Sequence, residues 1–99
     1  MKKINLAKDV DTDIKINITG VLTSSITEMI FIISKYGQTD VEIKYSTDGI
    51  SLFDNYAIIS ISKDTLASTG LYSVRLIFID QSGSTREFNL RGYGLLVVA

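Results

Sequence analysis

The sequence predicts an all-β fold, an antiparallel β-sandwich of about seven to nine strands, on three observations. Ile, Val and Thr supply 30 of the 99 residues against only four Ala, and branching at Cβ restricts χ1 in a helix while packing well on a pleated surface. Turn-forming clusters punctuate the chain about every 8 to 12 residues, at Thr19-Gly20, Lys35 to Gln38, Ser46 to Gly49, Asp54-Asn55, Ser68 to Gly70, Gln81 to Ser84 and Arg91-Gly92. Between those clusters the apolar period is two, the mark of strands with one buried face. One domain, residues 1–99, accounts for the length.

The elements follow in order. Residues 3–6 form a short opening strand. Residues 13–19 form the second, in which Ile14, Ile16 and Ile18 alternate with Lys15, Asn17 and Thr19. Residues 28–34 make an apolar strand. Residues 41–46 alternate again, Val41, Ile43 and Tyr45 against Glu42 and Lys44, and end in Ser-Thr-Asp48-Gly49, a pair that tolerates the positive φ of a tight two-residue hairpin. Strands over 50–53 and 56–62 precede one helical turn at Lys63 to Ser68. A long strand over 71–80 leads into a polar hairpin and strands over 85–91 and 94–98. Gly92-Tyr93-Gly94 reads as a bend or bulge between those last two, because no helix N-terminus follows to hold a phosphate.

Two strands break the alternation. In Glu28 to Ser34 and in Leu71 to Asp80 apolar side chains fall on both faces, whereas a two-layer sandwich offers each sheet only one core face. Either the tails or residues 50–53 fold over the second face, or a partner does. The partner reading assigns contact to Ile77 and Ile79, joined by Ile30 and Ile32 if the two strands are neighbours, because clustered exposed apolar side chains mark protein interaction sites. The closing run Leu95 to Ala99 either docks in its own sheet or adds to that of another subunit, with Leu95 and Val97 in contact there.

Absent residue types exclude much chemistry. The chain has no His, Cys, Trp or Pro, so a zinc site of the usual kind, a disulfide, a thiol nucleophile and a Ser-His-Asp triad are all ruled out. No catalytic residue, metal ligand or cofactor site is expected, and the chain reads as a non-enzyme. A net charge of −1 with basic residues scattered from Lys2 to Arg91 provides no stripe for nucleic-acid phosphates. The apolar runs fall far short of the roughly 20 residues of a membrane span, and Lys8 and Asp9 interrupt the N-terminus before a signal peptide could form. Asp9, Asp11 and Asp13 are spaced like the opening of a calcium loop, but Ile14 and Gly20 stand where an EF-hand needs Gly and Glu. A looser site would have to draw on Asp40, Asp54 or Asp80; the simpler reading is a solvated turn. The sequon Asn17-Ile18-Thr19 reads as chance on a wet strand face.

Two segments carry a family resemblance. Leu66 to Val74 includes Gly70, Tyr72 and Val74, the spacing at which immunoglobulin-like sandwiches place a Tyr whose hydroxyl returns to the backbone and a core residue two positions on. Val41 to Gly49 looks like the mid-domain strand and turn of fibronectin type III and related domains, with Ile43 or Tyr45 where a buried Trp is usual. With an alternating first strand, Asp13 to Thr19, an apolar strand, Met29 to Ile33, and a closing run from Asp64 to Leu76 followed by a polar hairpin and a final strand, the chain also resembles over most of its length immunoglobulin-like domains of bacteriophage virions, the N-terminal type of baseplate upper proteins and accessory capsid domains. That resemblance implies a structural role: a capsid decoration or a tail or baseplate adaptor, made in the host cytoplasm and carried on the virion. Its partners would be a major structural protein or copies of itself. The alternative is a carbohydrate- or receptor-binding module using loop aromatics Tyr36, Phe53, Tyr56 and Tyr93.

Overall fold

In the structure, a computed structural model that describes residues 2–20, 23–63, 65–66, 68–88, 90 and 93–98, nine strands form two packed sheets. Strands β1 (Lys2–Ala7), β9 (Tyr93–Val98), β7 (Gly70–Asp80), β3 (Ile26–Ser34) and β4 (Val41–Lys44) lie in that order in the larger sheet, and β8 (Thr85–Phe88) also pairs with β7. The smaller sheet has the order β2 (Thr12–Asn17), β6 (Tyr56–Ile61), β5 (Ile50–Leu52). All neighbours are antiparallel except β1, which runs parallel to β9.

Alternation decides what each strand buries. Ile14, Ile16 and Ile18 face inward from the β2 segment, and Ala57, Ile59 and Ile61 from β6. Met29, Phe31 and Ile33 meet them from β3, with Tyr72, Val74, Leu76 and Phe78 from β7. At about 3.3 Å per residue the 11 residues of β7 reach roughly 33 Å, most of the 40 Å long axis. One edge of β7 pairs with β3 from Ser73 to Asp80; the other is shared, β9 taking Gly70 to Ser73 and β8 taking Leu76 to Ile79.

Two expectations change. The Asp48-Gly49 turn is not a tight hairpin: β4 and β5 belong to different sheets, and a 3-10 turn, Tyr45–Thr47, carries the chain between them. Asp48 takes the left-handed conformation with φ 65°. Gly49 does not; it is required by a close approach, since a Cβ there would lie 2.5 Å from Ile43 Cγ2. The strand expected over 41–46 therefore stops at Lys44, and Ile43 fills the core while Tyr45 is exposed. The strand expected over 85–91 is described over Thr85–Phe88, and within the helical turn expected at Lys63 to Ser68 the Thr65 N–H donates to the Ser62 carbonyl at 3.0 Å. Asp64, Ala67, Asn89, Arg91 and Gly92 lie outside the described residues.

Candidate contact surfaces

The outer face of the larger sheet is built by register. Ile30 of β3 sits directly opposite Ile77 of β7, Glu28 opposite Ile79 and Ile32 opposite Arg75. On the flanks, Glu87 of β8 faces Ile77, while Lys44 and Glu42 of β4 face Ile30 and Ile32. The four isoleucines expected to cluster thus do so, inside a polar rim. Arg75 is paired with Glu87 at 2.6 Å and Lys44 with Glu42 at 3.7 Å. Ile32 is only 9% exposed because long side chains lie on both sides of it, their apolar stems covering what their charged ends leave dry. Ile30, Ile77 and Ile79 remain half-buried. Neither the N-terminal strand nor residues 50–53 cover this face: β1 is an edge strand on β9, and β5 is in the other sheet.

The C-terminal strand corrects an expectation. Leu95 and Val97 are buried in the core, opposite Tyr72 and Gly70, so they contact no partner. Outward positions on β9 belong to Leu96 and Val98, and Leu96 stands opposite the exposed Leu71.

The corner at the start of β7 is local and dense. Tyr72 Oη donates to the Ser68 carbonyl at 2.8 Å, and its ring is buried. Lys35 Nζ donates to the Thr69 carbonyl at 2.6 Å and to Ser68 Oγ at 3.1 Å, and Gln38 Nε2 reaches the same hydroxyl at 2.9 Å. Leu66 and Val74 are buried on either side of the corner, and Gly70, at φ 121°, provides the turn that an L side chain rarely adopts.

A second surface opens where β8 and β9 part. The edge of β7 is paired with β9 up to Ser73, opposite Gly94, and with β8 from Leu76, opposite Phe88; of the bend expected at Gly92-Tyr93-Gly94, Tyr93 and Gly94 lie in β9 and Gly92 is outside the described residues. The opening leads to a groove of about 400 Å³ between the sheets, lined by Ile4, Ile16, Asn17, Phe88, Leu90 and Tyr93 among others. Nothing in the sequence pattern pointed to it, since its lining comes from strands of both sheets.

The loop aromatics do not converge. Phe53 and Tyr56 stack with ring centroids 4.7 Å apart, and Lys15 Nζ lies 4.4 Å from the Tyr56 centroid. Tyr36, fully exposed, is in the β3–β4 connection at the opposite end of the strands, and Tyr93 is at the groove. Acidic groups are likewise dispersed: among the described residues no three could hold one metal ion. Asp11 accepts from the Lys63 amide at 2.8 Å and Asp80 from the Ser82 and Ser84 amides, the roles of turn carboxylates. No described helix is long and apolar enough to cross a membrane. Comparison with known proteins returns no matching family model and no matching curated protein.

Proposed function

We propose that this chain is an immunoglobulin-like domain serving as a phage virion structural protein, a capsid decoration or a tail or baseplate adaptor that acts by protein–protein contact and not by catalysis. The fold part of the reading is supported by strand order. With β2, β3, β4, β5, β6, β7 and β9 read as strands B, C, C′, D, E, F and G, the order G-F-C-C′ over B-E-D is compatible with an immunoglobulin-like sandwich to which β1 and β8 are additions. The Tyr72 hydroxyl on the Ser68 carbonyl has the form of its tyrosine corner.

The functional part is carried by one observation: Ile30, Ile77 and Ile79 are half-buried neighbours on the outer face of the larger sheet, rimmed by ion pairs and covered by no described segment, with Ile32 closed over beside them. An apolar centre with a charged rim is the composition of a protein interface, and repeated copies on a particle turn weak single contacts into firm attachment. Virions released from cells carrying this gene should, after banding in a density gradient, contain the chain. Ile77 and Ile79 are half-buried and Ile79 faces Glu28, so the I77K/I79E variant should melt several degrees lower but still unfold cooperatively, and be lost from the banded particles at a temperature where it is folded. Particles that lack the wild-type chain, or that retain the variant at wild-type level, would overturn the reading.

A second reading rests on the stacked Phe53 and Tyr56, a platform of the kind that binds sugar rings. Binding on a glycan array that is abolished by F53A would favour it.

A further inference from the structure

We propose that two copies of this chain pair edge to edge through β2, antiparallel about a twofold axis at Ile14, joining their smaller sheets into one six-stranded sheet. The contact differs from the outer face of the larger sheet and does not depend on it.

The argument starts from backbone direction. The Ile18 amide donates to the Asn55 carbonyl at 2.9 Å, toward the β6 side. Alternation along the strand turns the backbone groups of Ile14 and Ile16 the same way, and those of Asp13, Lys15 and Asn17 toward the opposite edge. Among the described residues no strand pairs with that edge. Such a row of N–H and C=O groups is a template for another strand unless charge or shape prevents it.

Charge here does not prevent it. With the axis at Ile14, Asp13 of each copy stands opposite the partner's Lys15, so both directly opposed charged pairs are attractive. The same register sets Asp11 opposite the partner's Asn17. It thereby brings the β1–β2 turn of one copy, which carries Asp9 and Asp11, to the end of the other that carries Lys3 and Lys15. Val10, exposed at 53% on that turn, arrives at the mouth of the partner's groove, which Asn17 lines. One operation satisfies every match twice, as an isologous contact requires.

The other free edges fit less well. β5 has three residues. On β4, Glu42 and Lys44 already pair with each other. The open edge of β1 bears Lys3 with no acid to meet it. A six-residue edge with its turns covers less than the roughly 1,200 Å² of a standard interface, so the dimer is weak and reversible, with a dissociation constant of about 100 μM.

Sedimentation velocity between about 10 μM and 1 mM brackets that constant. The wild-type chain should pass from a 10.9 kDa monomer to a dimer. D13K and K15D alone should each weaken association by about tenfold or more, by opposing like charges twice. The D13K/K15D double variant should restore it, which also shows that the exposed substitutions leave the fold intact. The amide resonances of Asp13, Lys15 and Asn17 should shift with concentration in the wild type. A chain monomeric at 1 mM, single reversals that leave the dimer unchanged, or a dimer dissolved by I77K/I79E would each overturn the proposal, whereas loss of virion attachment in I77K/I79E with the dimer retained supports both contacts separately.

Discussion

Tyr72 is where a single side chain does most to organise the fold. Its ring fills the core beside Leu95 while its hydroxyl ties β7 to Ser68, four residues back, and through Ser68 to Lys35 and Gln38 of the β3–β4 connection. Tyr72→Phe keeps the ring and leaves a half-buried carbonyl short of a donor, a loss of about 1 to 2 kcal/mol. For a chain of this size each kcal/mol lowers the melting point by about 4 to 8 °C, so thermal denaturation followed by circular dichroism should register a clear drop; an unchanged melting point would remove the corner from the account. Tyr72 and Val74 were legible in the sequence because the corner is local, a fixed spacing that needs no knowledge of the partner strand. Leu95 and Val97 were not. The run from Leu95 to Val98 is apolar at every position, so it has no period-two signal, and which alternate residues enter the core is settled only by the register of β9 on β7.

Among the elements, the crossing from β4 to β5 holds the least predictable geometry. The Asp-Gly pair correctly announced a positive φ at Asp48, but a hairpin and a change of sheet both need one, and the choice depends on β5 finding β6, which no local pattern encodes. What anchors the crossing is Glu28 on β3. Its Oε1 accepts from the amides of Met29 at 2.9 Å and Ser46 at 3.0 Å. Partial burial pushes this carboxyl up, but the hydrogen bonds from Ser46 and Met29 and the nearby Lys44 ammonium together hold it below its ordinary value of 4.5. A carboxylate depressed in the folded state contributes stability that is complete above the unfolded value and lost as pH falls through the folded one. Glu28→Ala should therefore lower the melting point by about 4 °C near neutrality, the worth of about one hydrogen bond. That gap should narrow as the pH falls below 4.5, where the wild type loses the same charge. A gap that stays constant as the pH falls well below 4.5 would mean that the charge plays no part.

For the whole molecule, each strand among the described residues overlaps one expected from sequence periodicity, but periodicity could not assign them to sheets. The parallel pairing of β1 with β9 joins opposite ends of the chain, and the groove is lined by residues of both sheets where the edge of β7 passes from β9 to β8. These are properties of the assembled sheets. The assembly also makes stability uneven. Met29, Phe31, Ile33 and Leu76 are almost completely excluded from solvent, and β3 has strands on both of its edges, whereas β8 is a four-residue strand whose side chains are mostly exposed and β2 has an open edge. Native-state hydrogen exchange should follow this order, because amides open with free energies set by the packing that must be broken to release them. In dilute solution the slowest amides should be those of β3 and β7, apart from those that face the break at Val74 and Arg75, and they should exchange only on global unfolding. The amides of β8, together with Asp13, Lys15 and Asn17 on β2, should be orders of magnitude faster. Raising the concentration should then slow Asp13, Lys15 and Asn17 selectively, because edge pairing supplies acceptors to those three and to no amide of β3 or β7. Uniform slowing across the chain would instead indicate association that is not confined to that edge, and slowest exchange in β2 and β6 would show the smaller sheet to be the stable half.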